Sequence, residues 1–369
     1  MLRLENLIAG MCPNGVPFTD IKSVAEVGTG TSNGNEADES GMYPFFIRSK
    51  IVKQKSSYEY DEEAIIIPGE GGIGEIFHYV NGKYALHQRV YRIHFEDPSI
   101  STRFVYYYME AFFKKFILRK AVSATVTSIR KPMIESFQFP VPPLEVQQEI
   151  VRILDHFTEL TAELTAELTA RKKQFSFYRD TLFQNAQNAT ILHLDDIADN
   201  CDNLRKPVTS GDRTKGDYPY YGASGIVDYV DNYIFDGDYL LISEDGANLL
   251  ARSTPIAFSI SGKNWVNNHA HVLHFNEYVT RRYVEFYLNA IDLSTYITGG
   301  AQPKLNQKNL NQIPIPIPPL PEQRRIVSIL DRFDALCNDL TSGLPAEIAA
   351  RQKQYEYYRD KLLTFKEKL

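Results

Sequence analysis

Lysine and arginine side chains with hydroxyl neighbours are the clearest candidate for anion binding in this sequence. Residues 114–131 include six cationic side chains and no acidic one. Cations neutralise phosphates, and serine or threonine hydroxyls donate hydrogen bonds to phosphate oxygens. We therefore expect this segment to bind a nucleic-acid backbone, through Lys114, Lys115, Arg119, Lys120, Thr125, Thr127, Arg130 and Lys131. A helix face that is simply solvated is the alternative.

Amide and guanidinium groups that could read base edges occur in both halves of the chain. Gln88 and Arg89 follow a strand-like stretch, and these side chains match adenine and guanine edges. Arg89 could instead pair with Glu70 or Glu75. The candidates in the second half are Tyr221, Ser224, Asn248, Asn267, Asn268, Gln302, Lys304, Asn306 and Lys308. Residues 190–319 contain fifteen acidic and ten basic side chains, which weakens the case for phosphate contacts there.

Motifs of common catalytic and cofactor sites are missing from the sequence. It contains no Gly-x-x-x-x-Gly-Lys-Ser/Thr loop for ATP and no Asn-Pro-Pro-aromatic or Asp-Pro-Pro-aromatic tetrapeptide of an adenine methyltransferase. His269 and His271, with His274 nearby, could hold a metal, but buried or solvated histidines are the simpler interpretation. We predict no catalytic residue, no metal and no cofactor.

Bulk composition describes an ordinary water-soluble chain. It has 369 residues, a net charge of −6, and 43% hydrophobic residues without an apolar run near the ~20 needed to cross a bilayer. Cys12, Cys201 and Cys337 are scattered, so we expect neither a disulfide framework nor a zinc site. Without signal-peptide features at its start, the sequence predicts a cytoplasmic protein of two or three domains.

An internal duplication organises the candidate binding residues. Residues 140–157 read PVPPLEVQQEIVRILDHF, and residues 316–333 read PIPPLPEQRRIVSILDRF, with eleven identical positions. A second pair follows, RKKQFSFYRDTL at 171–182 and RQKQYEYYRDKL at 351–362. The two copies of the first motif begin at residues 140 and 316. This separation is far too long for a solenoid repeat, so it indicates two domain-sized halves, each followed by a long helix.

The first long helix shows the alternating four- and three-residue spacing of a coiled coil throughout. The second shows a matching stripe with two successive steps of four, from Leu340 to Ile348. An intramolecular antiparallel pair is favoured over self-association, because joining two segments of one chain costs less entropy. Gly343 and Pro345 predict a kink in the second helix. The positions expected to pair the helices and to dock partners are Ile150, Leu154, Phe157, Leu164, Leu168, Tyr178, Ile326, Leu330, Phe333, Leu340 and Tyr358.

The predicted fold class is α+β, in which two similar β-rich or mixed domains are separated and joined by two long antiparallel coiled-coil helices in a pseudo-twofold chain. The expected segments are an N-terminal helix, a first domain, a central helix, a second domain and a C-terminal helix, at 1–14, 15–143, 144–187, 188–319 and 320–369. Within the central helix, residues 158–170 repeat Thr-Ala-Glu-Leu, and each four-residue block adds about 6 Å of helix.

Together, the two divergent domains, the PPLxxQxxIVxILD and RxKQxxxYRDxL motifs and the Thr-Ala-Glu-Leu blocks resemble the specificity subunits of type I restriction–modification systems. The resemblance covers essentially the whole chain. It implies that each variable domain reads half of a bipartite, asymmetric target in double-stranded DNA. It also implies that the repeated helices set the spacing and dock two copies of a methyltransferase subunit, with ATP-dependent restriction subunits as optional partners.

Two other functions remain open at this point. Tyrosine-rich domains on a coiled-coil rod would also suit a non-enzymatic interaction or adhesion scaffold. An enzyme with an unrecognised site is the third possibility, and the missing motifs argue against it.

Overall fold

The computed structural model describes residues 2–120 and 128–368, and Thr125 and Thr127 lie outside them. The chain divides into two compact units, Met1–Leu164 with Ile348–Leu369, and Thr165–Glu347. Both units mix helices and strands, which confirms the α+β class and the two similar domains. The predicted segment boundaries stay predictions, because each unit also includes part of the long helices. No helix in the described ranges is long and apolar enough to span a membrane.

Unit 1 is built around a six-stranded sheet with strand order β2-β7-β5-β6-β3-β4. Its helices are α1 Leu2–Met11, α2 Ile21–Val24, α3 Thr102–Lys120 and α4 Lys131–Glu135. Its strands are β1 Phe18–Asp20, β2 Ala25–Thr29, β3 Tyr43–Phe46, β4 Lys53–Lys55, β5 Tyr60–Pro68, β6 His78–Leu86, β7 Val90–Phe95 and β8 Gln138–Pro140.

The centre of the unit 1 sheet is apolar on both faces. The isoleucine run Ile65–Ile67 in β5 is completely buried, as β-branched residues in a central strand usually are. Alternate members of this run belong to different clusters. Ile65 and Ile67 face the core that includes α3, whereas Ile66 packs with Phe46 and Tyr84. The helix α3 follows this sheet in the chain.

The helix α5 spans Leu144–Gln184, within the segment 144–187 expected for the central helix, and is about 60 Å long. Pro142 and Pro143 precede it, and no glycine or proline interrupts it. Its buried residues are Val146, Gln147, Glu149, Ile150 and Leu154. The Thr-Ala-Glu-Leu blocks therefore lie in a part of α5 without a fully buried side chain.

Unit 2 contains two four-stranded sheets, with strand orders β10-β17-β14-β15 and β12-β11-β16-β13, and the pair β9-β18. Its helices here are α6 Leu194–Ile197, α7 Asn248–Ala251, α8 Tyr278–Ala290 and α9 Gln307–Leu310. Its strands are β9 Thr190–Leu192, β10 Asp199–Asn200, β11 Lys215–Gly222, β12 Gly225–Val230, β13 Phe235–Asp236, β14 Tyr239–Ser243, β15 Ala257–Ile260, β16 Lys263–Val266, β17 Ala270–His274 and β18 Ile315–Ile317.

The second repeated segment forms two helices, α10 Leu320–Asn338 and α11 Leu344–Leu362. The interruption falls at Gly343, as predicted. A Cβ atom there would lie 2.5 Å from the Ala335 carbonyl oxygen, so no other residue fits without a shift. Asp339 stabilises the break by accepting hydrogen bonds from Thr341 and Ser342, and these bonds lower the pKa of its carboxyl group.

Candidate nucleic-acid interface

A glycine-rich loop at residues 69–75 organises the cationic surface of unit 1. The Glu70 carboxylate accepts hydrogen bonds from Arg48 at 2.9 Å and from Arg89 at 3.0 Å. Of the two partners considered for Arg89, the structure selects Glu70. The bonds from Arg89 and Arg48 lower the pKa of Glu70, so its carboxyl group stays ionised and holds both guanidinium groups at the surface.

The other end of this loop contacts α3. Glu75 forms an ion pair with Lys114, and that bond lowers the pKa of Glu75. Gly74 has a φ of +64°, and a Cβ atom there would lie 3.1 Å from the Lys114 Cα atom. Glycine thus permits the loop to approach the helix and fixes Lys114 relative to the Glu70 cluster.

Gln88 is held by a second loop. Its Nε2 donates to the Asn33 side-chain oxygen at 2.7 Å, and the Gln88 backbone N–H donates to the Ser32 carbonyl. Ser32 is itself fixed by hydrogen bonds with Glu59 and Lys55. The amide of Gln88 is exposed and pre-oriented, as direct base readout requires.

Two shallow clefts, of about 390 and 320 Å³, meet at Glu70. The first is lined by Gln88, Arg89 and Arg130, among others. The second is lined by Arg48 and by residues including Gly34, Ser49, Lys53 and His87. The structure therefore brings Arg130 together with Gln88 and Arg89, which lie about forty residues earlier in the chain. It adds the cations Arg48 and Lys53, which were not among the candidates.

The remaining unit 1 candidates border this surface or lie beyond the described residues. Lys114, Lys115 and Arg119 are exposed on α3, and Lys131 lies 3.7 Å from Glu135. Nothing is described for Thr125, Thr127 or the Lys120 side chain. Residues 48–55, RSKIVKQK, were not among the predicted binding residues, although four cations without an acid were a visible signal.

In unit 2, the candidate loop around Gln302 is fastened to the end of β14. The backbone N–H groups of Gly246 and Leu305 donate to the carbonyls of Pro303 and Glu244, at 3.1 and 2.7 Å. The Lys304 ammonium lies 3.1 Å from the Glu244 carboxylate. Gln302 and Lys308 are exposed, and Asn306 caps α9 by accepting from the Asn309 N–H.

A buried polar cluster supports that loop. His271 is 1% exposed, with Nδ1 2.6 Å from Asp202 and Nε2 2.8 Å from the Leu305 carbonyl oxygen. Arg205 pairs with both Asp202 and Glu244, at 3.2 and 2.7 Å. Burial tends to raise the pKa of Asp202, but the hydrogen bond from His271 and the neighbouring charges lower it.

Asp202, Glu244 and His271 also place possible metal ligands within 4.8 Å of one another. The Arg205 guanidinium already balances both carboxylates, and both His271 nitrogens are hydrogen-bonded. The arrangement therefore favours an internal ion-pair network over a cation site.

The amide candidates of unit 2 differ in availability. Asn267 is 7% exposed, and its side-chain oxygen accepts from the His269 N–H at 2.8 Å. Asn248 is used in a similar way, since its oxygen accepts from Ser253 and Thr254. By contrast, Asn268 and Ser224 are exposed, and Tyr221 is partly buried. Residue type alone could not distinguish the engaged side chains from the exposed ones, because the difference lies in local loop geometry.

Comparison with known proteins agrees with the duplicated sequence. A family model of the type I restriction modification DNA specificity domain matches residues 13–171 and again residues 188–350. The chain belongs to the type I restriction–modification specificity subunit family. Specificity subunits are the DNA-recognition components of such systems and not their catalysts, as expected from the missing catalytic motifs.

Two curated relatives illustrate the match. The Escherichia coli type I restriction enzyme EcoR124I/EcoR124II specificity subunit is 32% identical over 299 residues, or 73% of this chain and 72% of that one. A putative specificity subunit of Haemophilus influenzae is 45% identical over 178 residues. That alignment covers 47% of this chain and 46% of the relative, so it spans about half of each.

Solved specificity-subunit structures share the fold. The crystal structure of the S subunit from M. genitalium has a TM-score of 0.68 at 17% identity, covering 95% of this chain and 96% of that one. A chain from a structural study of type I complex assembly has a TM-score of 0.59 at 14% identity, covering 95% and 98%.

The repeated helices of this specificity subunit pack through the predicted positions within each unit. Ile150, Leu154, Ile326 and Leu330 are completely buried. Phe157 stacks on Tyr358 in unit 1, and Tyr178 stacks on Phe333 in unit 2. Leu164 and Leu168 are partly buried. Leu340 departs from the prediction, because it lies in the turn between α10 and α11 and is 80% exposed.

Two outward-facing aromatics in these helices were not among the predicted docking residues. Phe177 and Tyr357 occupy equivalent positions of the RxKQxxxYRDxL motif, and they are 66% and 62% exposed. Each lies next to the stacked tyrosine of its unit, at 5.7 and 5.3 Å between ring centroids. Equal exposure at both copies of a repeat was not visible from spacing alone.

Proposed function

We propose that this specificity subunit reads a bipartite, asymmetric target in double-stranded DNA, with one half-site for each domain. The observation that supports this most directly is the combination of duplicated architecture with different candidate loops. Duplicated domains suit two half-sites, and different loops suit two different sequences. The chromosome is the substrate of such a subunit, so we expect it to act in the cytoplasm.

The first half-site would be bound by the surface around Glu70. Arg48, Lys53 and Lys115 would contact phosphates, which position a protein on DNA without reading sequence. Gln88 and Arg89 would contact adenine and guanine edges. Fixed side chains on short loops lose little entropy on binding, which favours them as base readers.

The second half-site would be bound by the loop of residues 298–308 together with Asn268 and Ser224. Fewer described cations lie on this surface than on the first, and one of them, Lys304, is paired with Glu244. Its recognition would then depend more on amide and hydroxyl hydrogen bonds than on charge. We accordingly expect the first domain to provide most of the salt-dependent affinity.

The repeated helices would dock two copies of an adenine methyltransferase subunit, and restriction subunits could join them. Phe177 and Tyr357 support this, since two equivalent exposed aromatics suit two identical partners. Methylation would follow when those partners flip an adenine out of each half-site. The Thr-Ala-Glu-Leu blocks would set the distance between half-sites.

The deciding experiment is a genome-wide map of N6-methyladenine in the host with and without this gene. The proposal expects that deletion removes methylation from one motif, consisting of two short half-sites around a fixed gap. Complementation with the gene should restore the same motif. An unchanged map in cells that express the gene and a partner methyltransferase would reject the proposal and favour an interaction scaffold.

A further inference from the structure

In unit 1, two polar contacts join the first domain to α5. The Gln147 side chain donates to the carbonyls of Pro142 at 2.7 Å and Ser99 at 2.9 Å, and accepts from the Ser101 N–H. Two turns further along α5, the Asp155 carboxylate accepts from Arg103 of α3 at 3.0 Å. Gln147 is completely buried, so the hydrogen bonds of its side chain are shielded from water.

The Asp155 contact is further defined by aromatic rings. The Tyr107 hydroxyl donates to Asp155 at 2.5 Å. The Arg103 guanidinium lies 4.5 Å from the Tyr79 ring centroid and 5.2 Å from that of Tyr107. A guanidinium stacked on rings and bonded to a carboxylate has few alternative positions.

We call this pair of polar contacts, one from the glutamine and one from the aspartate, a joint. The same joint occurs in unit 2 with the second copy of the motif. Gln323 donates to the Pro318 carbonyl at 2.7 Å and accepts from the Thr280 hydroxyl at 2.8 Å. Asp331 accepts from Arg282 of α8 at 2.8 Å. Gln147 and Asp155 are thus repeated as Gln323 and Asp331, with the same spacing along the helix.

The surroundings of the two arginines differ. Arg282 also pairs with Asp334 at 3.0 Å and Glu285 at 2.6 Å, where unit 1 has Thr158 and Tyr106 at the corresponding sequence positions. Both joints therefore share the Arg–Asp pair in addition to the glutamine contact, whereas the side chains around the arginine differ.

Two directional contacts about 12 Å apart along one helix restrict both sliding and rotation. The apolar residues between them, Ile150 and Leu154 in unit 1, contribute burial without a fixed direction. Removing one polar contact should leave a domain that is attached but able to turn.

We propose that the pairs Arg103–Asp155 and Arg282–Asp331 set the angle of each recognition domain on its helix, and so restrict which gaps between half-sites are accepted. This inference rests on the proposed function. Helix length would determine the preferred gap, whereas the two joints would determine how strictly that gap is enforced. Asp155 and Asp331 are positioning residues, which act through Arg103 and Arg282.

The test uses the complex of this chain with its methyltransferase subunit and DNA duplexes containing the mapped target. Methylation rates are compared for the native gap and for gaps one base pair longer or shorter. Asp155→Asn removes the charge but keeps the shape of the side chain. For this variant, the ratio of the methylation rate on the native gap to the rate on altered gaps should fall by roughly tenfold. This is the size of effect expected for losing a hydrogen bond to a charged group. Rejection of single-base changes within either half-site should stay as in the wild type.

Controls separate positioning from general stability. Glu322→Gln on α10 removes a carboxylate that pairs within its own helix, with Arg325. This variant should keep wild-type gap discrimination. Asp155→Glu retains the charge and should therefore keep most of the gap discrimination. Asp331→Asn should repeat the effect of Asp155→Asn.

Two results would overturn the inference. Unchanged gap discrimination in both Asp→Asn variants would show that the joints do not set the angle. An equal loss of methylation on all gaps, together with a lower melting temperature, would show that they only stabilise the fold. Neither result affects the proposed function, which fails separately if wild-type protein yields no two-part motif.

Discussion

Phe157 and Tyr358 stack with their ring centroids 5.5 Å apart and their planes inclined by 18°. One belongs to the first half of α5 and the other to the last turns of α11. Their cluster also includes Ile150, Leu154 and Leu362, so the core of unit 1 is completed by a helix from the end of the chain.

Truncation of this stack should destabilise unit 1. Phe157→Ala removes a large, partly buried ring and its stacking partner contact, for an expected loss of about 2 kcal/mol in the free energy of unfolding. Phe177→Ala is the matched control, because that ring is 66% exposed and should cost less than about 0.5 kcal/mol. Chemical denaturation measures both, and equal losses would contradict the packing described for Phe157.

Cations of the unit 1 surface should divide into phosphate contacts and base readers. Lys115→Ala should weaken binding on all sequences alike and reduce the slope of log affinity against log salt by about 0.9. Arg89→Ala should instead cost about 1–3 kcal/mol on the cognate target and relax the preference at one base pair. Lys172→Ala on α5 serves as the control. Titrations at several salt concentrations with cognate and altered duplexes distinguish these patterns, and a uniform loss for Arg89→Ala would remove it from the base readers.

Deletion of residues 165–168 should shorten the preferred gap by about one or two base pairs. Four residues correspond to ~6 Å and rotate the helix by only about 40°, against ~3.4 Å for each base pair. This part of α5 has no fully buried side chain, so little packing is lost. Methylation mapping of the deletion strain gives both the gap and the half-sites. Altered half-site sequences would contradict a role as a spacer.

Acid should weaken unit 2 through Asp202 and Glu244. Burial tends to raise the pKa of both carboxyls, but the bonds from His271 and Arg205 lower it overall. A carboxyl group with a lowered folded pKa stabilises the fold above its unfolded value, near about 3.9 for Asp and 4.3 for Glu. That stabilisation is lost as the pH falls through the folded pKa. The melting temperature of the protein should therefore decrease once the pH is lowered below about 4.5.

The corresponding variant should be less sensitive to acid. Asp202→Asn is expected to melt lower than wild type at pH 7, with a smaller further decrease between about pH 5 and pH 3. Asp217→Asn, an exposed carboxylate on β11, should reproduce the wild-type curve. An acid response in Asp202→Asn as steep as in wild type would assign the effect to other groups.

Helices and repeats could be predicted because their signals are local and redundant. The Pro-Pro start of α5, its uninterrupted helix formers and the duplicated motif all indicate the same element. The break at Gly343 was visible for the same reason. Leu340 was misplaced because periodic spacing was extended through a turn, where Asp339 hydrogen bonds replace the helical pattern.

Candidate base readers were harder to predict, since their availability depends on tertiary partners. Nothing in the sequence distinguishes Asn267, which is buried, from its exposed neighbour Asn268. Similarly, Arg89 had two possible acidic partners until the fold of the glycine-rich loop selected Glu70. The basic segment at 48–55 was overlooked although its composition resembles that of residues 114–131.

The bond between Glu70 and Arg89 has a consequence for how the chain would search a chromosome. In the free protein, the carboxylate occupies the guanidinium that the proposed DNA surface needs. DNA bound at the proposed surface would first have to compete with this internal anion, so sequences that offer phosphates but no guanine at the matching position would be released quickly. Glu70 would thus compete with DNA for the Arg89 guanidinium of the first domain. This competition would keep residence on wrong sites short and leave the subunit free to sample many sites.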